Sequence, residues 1–324
     1  MRYVLFLFLY TFCCLPTQAQ ELYPMTEPAS SVPAGVLGIR AYSQSYAEVH
    51  HQFRNLFALK AMYGVTAKLS VMVTGTVSNH HSKLLPPDFP DHNTPQIGVA
   101  LPYRFNGVHA YAKYRFLSKD APKKHFRMAA YAEYGFVQVA HDEAEPSLLD
   151  DTRGFGAGII TTYLSNRFAA SFTGGIVLPS AYKGDVPDFI PGLAGVPARV
   201  EYGRAAVYNL SFGYRLFPHT YTDYNQTNWN VYVEFLGKSY EAAQIFFENI
   251  GQPGSAYPVT GAAVPALGAG HYVEIHPGIQ AIIRSNLRLD VSVGFPLIRK
   301  SYTHFYPLYS VGIQRYFFFK KSRS

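Results

Sequence analysis

The sequence predicts an all-β protein, a transmembrane antiparallel up-and-down β-barrel of about 12 strands. Apolar residues alternate with small or polar residues at a period of two in about twelve segments, and this is the period of a β-strand. Most segments have about ten residues, the length that a tilted strand needs to cross the hydrocarbon layer. Short turns and long connections also alternate along the chain, which is typical of bacterial outer-membrane barrels.

The segment 167–178 illustrates the pattern. Phe168, Phe172 and Ile176 share one face, while Arg167 and Ser171 share the other. A turn at Ser165 and Asn166 joins it to the preceding segment, since Asn tolerates positive φ. Similar turns are predicted at Ser285–Asn286 and at 64–67. The predicted strands are 36–44, 54–63, 68–78, 108–117, 125–138, 154–164, 167–178, 202–216, 229–238, 271–283, 286–296 and 305–318.

Connection lengths separate a barrel from a soluble sandwich, which shows the same alternation. The connections after the second, sixth and tenth segments are short, whereas those after the third, fifth, seventh and ninth are long. A sandwich has no reason to sort its loops in this way. Lipid offers no hydrogen-bond partner to an open sheet edge, so the first strand is expected to pair with the last.

The first 20 residues predict a secretory signal peptide: Arg2, an apolar run too short for a stable anchor, and small residues Thr17 and Ala19 before Gln20. Both cysteines, Cys13 and Cys14, lie within it, so the mature chain would have none. A lipidated Cys13 or Cys14 is the alternative. The predicted layout is a signal peptide (1–20), an N-terminal periplasmic segment (21–35), an outer-membrane barrel (36–318) and a basic C-terminal tail (319–324).

Composition excludes several classes of protein. Removal of Arg2 with the signal lowers the net charge from +7 to +6, and no basic helix or stacking motif indicates nucleic-acid binding. No stretch after residue 20 has the ~18 uninterrupted apolar residues of a spanning helix. No cofactor is expected.

Strand parity predicts which charged side chains line the lumen. The basic candidates outnumber the acidic ones, so the lumen either holds paired ions or forms a narrow basic pore that favours anionic solutes. A plug formed by 84–95 or by the Gly- and Pro-rich stretch 251–270 is left open. The lumen candidates are Arg40, Lys60, Lys113, Arg115, Arg127, Glu133, Arg215, Glu234, Glu274, His276, Arg288 and Asp290.

Histidines in the predicted outer loops suggest a second hypothesis, a surface metal site. No pair has the helical i, i+4 spacing, and charged loops are usually just solvated. The candidate ligands are His50, His51, His80, His81, His92 and His141.

Signs of an enzyme are weak. The stretch "SAYK" (180–183) fits S-x-x-K but lies in a loop without companion motifs. Glu274 and His276 share one inward face, where a hydrogen-bonded interior pair is more common than an acid–base dyad. The protein is therefore expected not to be an enzyme, with an outer-membrane hydrolase as the remaining alternative.

Several phrases resemble one family of outer-membrane proteins, the MetA-pathway of phenol degradation family. They are "MYGVTAKLSVMVTGTV", "GVHAYAKYRFLS", "HFRMAAYAEYGF" and "HPGIQAIIRSNLRLDVSVGFPL", with "YSVGIQRYFF" at the end. The resemblance runs from about residue 35 to 318, and "MTEPAS" and "YTDYNQTN" resemble a Bacteroidota branch. It implies a twelve-stranded barrel that passes small solutes, with no catalytic residues to carry over.

These observations predict a location in the outer membrane of a Gram-negative bacterium. The expected partners are outer-membrane lipid, the barrel-assembly machinery and a small-molecule solute of aromatic, hydrophobic or anionic character. The oligomeric state is not determined by the sequence.

Overall fold

The computed structural model describes residues 23–47, 53–79, 103–137, 143–185, 197–220, 225–248, 256–261, 265–301 and 305–319. Twelve antiparallel strands form a closed barrel in which each strand pairs with its neighbours along the chain and the first strand pairs with the last. They are β1 (Val36–Ala47), β2 (Phe53–Gly64), β3 (Leu69–Ser78), β4 (Arg104–Ala121), β5 (Lys124–Gly135), β6 (Gly154–Ser165), β7 (Phe168–Pro179), β10 (Ala205–Phe217), β11 (Asn228–Tyr240), β14 (Gly270–Ile283), β15 (Leu287–Lys300) and β16 (Leu308–Phe318).

Four further strands form a second sheet that the sequence did not predict. They are β8 (Tyr182–Asp185), β9 (Pro197–Glu201), β12 (Gln244–Glu248) and β13 (Ala256–Thr260), and their order in the sheet is β13-β12-β9-β8. Each strand has only four or five residues, too few for alternation to stand out from the surrounding loop. A 3₁₀ turn, Pro265–Leu267, follows it.

The barrel wall has an apolar outside, as the alternation predicts. Leu59, Val73 and Ile313 are about half exposed, whereas their inward neighbours Ala58, Met72 and Gln314 are buried. Aromatic side chains are exposed near the ends of the strands at the short-turn end, where rings favour the bilayer interface; they include Tyr63, Tyr114, Tyr163, Phe168, Tyr214, Trp229 and Phe317. Within the described ranges, no helix has the length and apolar character required to span a bilayer.

The short turns lie together at one end of the barrel, which we call the periplasmic end by the usual rule. The β6–β7 turn consists of Asn166 and Arg167, with φ 54° at Asn166, so it lies one residue later than predicted. In the β14–β15 turn, positive φ falls on Arg284 and Ser285 rather than on Asn286. The side chain of Asn286 instead accepts a hydrogen bond from the Tyr316 backbone at 2.9 Å, which ties the turn to β16.

Candidate solute pathway

Residues 23–35, which we call the N-terminal plug, lie inside the barrel. The plug contacts side chains of β1, β2, β3, β4, β5, β6, β10 and β11. A short segment can contact eight strands around a closed barrel only by crossing the interior. Residues 23–35 of the predicted periplasmic segment 21–35 therefore lie in the lumen, where plug groups satisfy inward polar side chains of the wall.

One end of the plug is held by Glu234 on β11. The carboxylate accepts hydrogen bonds from the backbone amide of Met25 at 3.1 Å and from the amide and hydroxyl of Thr26 at 2.9 and 2.8 Å. The Thr26 hydroxyl also lies 2.9 Å from that of Ser211 on β10. Glu234 has no exposed surface, and Tyr23 and Thr26 are buried, so this contact is shielded from water. Hydrogen bonds to a charged acceptor are among the stronger ones in proteins.

The middle of the plug is held by two lysines of the wall. The Glu27 carboxylate lies 3.0 Å from Lys60 Nζ on β2 and 3.1 Å from Lys113 Nζ on β4. Lys113 Nζ also donates to the Pro28 carbonyl at 2.7 Å. The Lys113 side chain is 0% exposed, whereas those of Lys60 and Glu27 are each 18% exposed. The two ammonium groups thus converge on one carboxylate from the plug.

The remainder of the plug descends to the periplasmic end. Ala29 N donates to Thr162 Oγ1 at 2.9 Å, Arg127 donates to Ser30 Oγ at 3.0 Å, and Val32 N donates to Ser70 Oγ at 2.9 Å. The plug then approaches the end of β2 so closely that a Cβ on Gly64 would overlap the Pro33 carbonyl. Gly35, at φ 76°, reverses the chain into β1.

The wall beside Lys60 carries a buried ion cluster, since Arg40 on β1 is the cross-strand partner of Lys60 on β2. Arg40 on β1 donates to Asp290 on β15 at 3.0 Å, and Arg288 Nε lies 3.2 Å from the other oxygen of Asp290. Gly312 on β16 makes room for it, because a Cβ there would lie 2.7 Å from Asp290 Oδ1 and 2.9 Å from Arg40 Nη2. All three charged side chains are at most 5% exposed.

A second polar cluster lies towards the outer end. His276 Nε2 is 2.8 Å from Glu274, and Tyr306 donates to the other oxygen of Glu274 at 2.6 Å. Burial, and then the charge of Glu274, raises the pKa of Tyr306, which lies in the connection before β16, so its hydroxyl stays protonated. Glu274 and His276 are buried, which fits a hydrogen-bonded interior pair.

Loops and the small sheet cover the outer end of the barrel. Leu148, Val200, Ile245, Phe247 and Leu267 belong to one buried apolar cluster that joins the β5–β6 connection to this sheet. Lys238 Nζ on β11 pairs with Glu145 of that connection at 2.8 Å. Part of the stretch 251–270 thus lies in the outer cover, and 84–95 lies outside the described residues.

The twelve lumen candidates fall into separate groups. Lys60, Lys113, Arg127 and Glu234 hold the plug, while Arg40, Arg288 and Asp290 form the ion cluster and Glu274 and His276 the outer one. Glu133 lies 2.9 Å from His109 Nε2, Arg115 donates to the Ala67 carbonyl in a periplasmic turn at 2.8 Å, and Arg215 is half-buried at the periplasmic end of β10.

Sequence reasoning missed the plug residues, above all Thr26 and Glu27. The one available signal was the excess of basic over acidic lumen candidates, because buried basic groups need an acidic partner from elsewhere in the chain. The proposed metal ligands His50, His51, His80, His81, His92 and His141 lie outside the described residues, as does the predicted signal peptide. In the described ranges, no group of His, Cys, Asp and Glu has the geometry of a metal site.

No protein-family model matches the chain, and no curated protein is similar to it in sequence. Among solved structures, it is similar to an outer-membrane channel from Pseudomonas putida F1, with 10% identity, coverage of 92% of this chain and 100% of that chain, and a TM-score of 0.51. The β-domain of the Bordetella autotransporter BrkA has 13% identity, coverage of 88% and 100%, and a TM-score of 0.37. The Pseudomonas putida toluene transporter TodX has 11% identity, coverage of 92% and 96%, and a TM-score of 0.30.

At these identities the first comparison shows the fold alone, and the other two scores support no conclusion. The fold shared with that channel is the closed outer-membrane β-barrel. The specific resemblance to the phenol-degradation family is not confirmed by any family match.

Proposed function

We propose that this protein is a passive outer-membrane channel for small solutes, and that the N-terminal plug keeps it closed in the conformation of the structure. The observation that carries the proposal is the plug itself. A barrel of twelve strands lies between the eight-stranded barrels that side chains fill and the wide porins. Here the interior holds an additional length of chain that is not part of the wall, so its departure would vacate a passage about as wide as a peptide.

The polar lining supports an aqueous rather than a lipid-filled path. The plug makes its hydrogen bonds to Lys113, Arg127, Thr162, Ser211 and Glu234, all of which belong to the wall and would remain when it leaves. Hydrogen-bonding groups along a pore lower the cost for a solute to give up water. We propose that the solutes are small and aromatic, hydrophobic or anionic. The same proposal includes a distant relationship to the phenol-degradation family.

We also propose that the N-terminal signal peptide directs export of the protein and that the barrel-assembly machinery inserts it into the outer membrane. A surface metal site at the outer-loop histidines stays a prediction, because those residues are not described.

The test is the conductance of the purified protein in planar lipid bilayers. Wild type is compared with a variant that lacks residues 24–31, which removes the Glu234 and Lys113 contacts but keeps Val32 against Ser70. We expect the deletion to raise the conductance several-fold and to let small solutes enter liposomes. Slower gel migration after boiling verifies that the barrel is folded. A folded deletion variant that neither conducts nor admits solutes would refute the channel.

A further inference from the structure

The charged groups at the Glu27 site belong to two different parts of the protein, the wall and the plug. Lys60 and Lys113 project from the wall, on β2 and β4, while the carboxylate between them belongs to the plug. With the plug in place, two ammonium groups share one carboxylate. When the plug leaves, Lys113, whose side chain is 0% exposed, loses both the Glu27 carboxylate and the Pro28 carbonyl. The positive potential of the two ammonium groups in the narrow lumen then favours an anionic ligand.

An aromatic surface lies beside the two lysines. Tyr111, two residues before Lys113 on the same inward face of β4, stacks on Tyr131 of β5 with ring centroids 5.2 Å apart and planes 14° from parallel. Tyr131 and Ile160 form a buried cluster with Ala29 of the plug, and Tyr111 packs against it. Ala29 has no exposed surface. The plug therefore places a carboxylate on the lysines and, two residues later, an apolar group on the tyrosines.

This arrangement matches one class of small molecule. The lysines select a carboxylate, and the stacked tyrosines and Ile160 offer an apolar, flat surface for the body of the ligand. A neutral isostere lacks the anion, and a short carboxylate such as acetate lacks the body. Neither would satisfy both halves of the site.

We propose that Lys60, Lys113 and the Tyr111–Tyr131 pair form a binding site for an aromatic or apolar monocarboxylate, which Glu27 and Ala29 occupy within the same chain. The inference rests on the proposed channel and names the class of its solute. The solute competes with Glu27 for the two lysines, so its binding favours the state in which the plug has left. A ligand shifts such an equilibrium only by its difference in affinity for the two states, and here the closed state has no free site.

Binding of benzoate to the full-length protein in detergent, measured by isothermal titration calorimetry, tests the proposal independently of conductance. Glu27→Gln removes the competing charge while nearly preserving the shape of the side chain. We expect this variant to bind benzoate about tenfold or more tightly than wild type, within the usual range of coupling between sites. The variant lacking residues 24–31 serves the same purpose should the plug stay seated in the Glu27→Gln protein.

Two further variants assign the binding to the lysines. Lys60→Gln with Lys113→Gln, on either background, is expected to abolish benzoate binding. Lys119→Gln with Lys124→Gln, two exposed lysines on β4 and β5, makes the same change of charge outside the lumen and leaves binding unchanged. Benzamide and acetate are expected to bind at least tenfold more weakly than benzoate.

The outcomes separate the two proposals. If neither Glu27→Gln nor the deletion variant binds benzoate, or if binding survives loss of both lysines, the monocarboxylate site is refuted even when the deletion variant conducts. If benzoate binds through the lysines but the folded deletion variant does not conduct, the site stands as a binding site and the channel is refuted.

Discussion

The attachment of the plug to Glu234 gives the sharpest prediction. The carboxylate accepts hydrogen bonds from three plug donors, the Met25 amide and the amide and hydroxyl of Thr26, at a position with no exposure to water. Glu234→Gln retains one acceptor oxygen and directs an NH₂ group towards backbone N–H donors. Hydrogen bonds to a charged group contribute about 1.5–3 kcal/mol each, so the loss of one bond weakens the attachment by about 1.5–3 kcal/mol. Since 1.4 kcal/mol is a factor of ten, the fraction of released plug rises roughly 10- to 150-fold.

The assay is maleimide labelling of a cysteine placed at Ala29, which is fully buried in the plug. Cys13 and Cys14 are the only cysteines of the sequence, so in a protein expressed without residues 1–20 the label reports position 29 alone. With opening faster than labelling, the labelling rate follows the released fraction and rises by the same factor. Glu133→Gln is the matched control, because that inward carboxylate lies 2.9 Å from His109 rather than against the plug. Equal labelling rates in the Glu234→Gln and Glu133→Gln proteins, with both barrels folded, would refute the reasoning.

Three further predictions address the wall and the outer cover. Leu59→Arg on the outer face is expected to cost about 2–4 kcal/mol of insertion free energy, measured as the folding yield into vesicles. Val65→Arg in the periplasmic turn, where the side chain is also exposed, is the control and is expected to cost little. Equal yields for the two variants would contradict a lipid-facing Leu59. Gly278→Ala brings a Cβ into the Tyr232 ring and is expected to destabilise the barrel by about 1–3 kcal/mol, seen as a lower temperature of heat-induced unfolding on gels. Gly75→Ala, whose Cβ would meet only the Phe105 ring at 3.6 Å, is its control, and an unchanged temperature for Gly278→Ala would count against the close packing. Lys238→Met removes the ion pair of Glu145, 7% exposed, while the hydrogen bond from Ser301 remains, at a cost of about 1–3 kcal/mol. Proteolysis of the β5–β6 connection in intact barrels therefore becomes faster than in Lys183→Met, and the same cleavage rate would show that the pair does not hold the cover.

The strands of the barrel could be predicted because their signal is local. Lipid on one side and polar groups on the other impose a period of two, and each predicted segment overlaps a strand of the barrel. The predicted boundaries of β4 are too narrow: the alternation predicts 108–117, whereas the strand extends over Arg104–Ala121. The extra residues lie beyond the apolar run, where alternation gives no information.

The contents of the lumen could not be predicted in the same way. Glu27 meets lysines that are 33 and 86 residues away in sequence, and Thr26 meets Glu234 across 208 residues. The plug has no strand periodicity and pairs with the wall only through side chains and single backbone groups. The outer sheet was missed for a related reason. Its strands are short, and the β9–β12 pairing that unites them joins two different connections.

The sequence by itself determined the class of fold, the number of membrane strands and the side of each strand that faces lipid. These properties follow from a local periodicity and from the demand of the bilayer that every backbone group be bonded. Only the tertiary structure decided which charges meet, and that the N-terminal segment occupies the interior. Those choices depend on closure of the barrel, which brings distant strands around one short segment and lets its carboxylate and amides satisfy polar groups that no neighbour in sequence can reach.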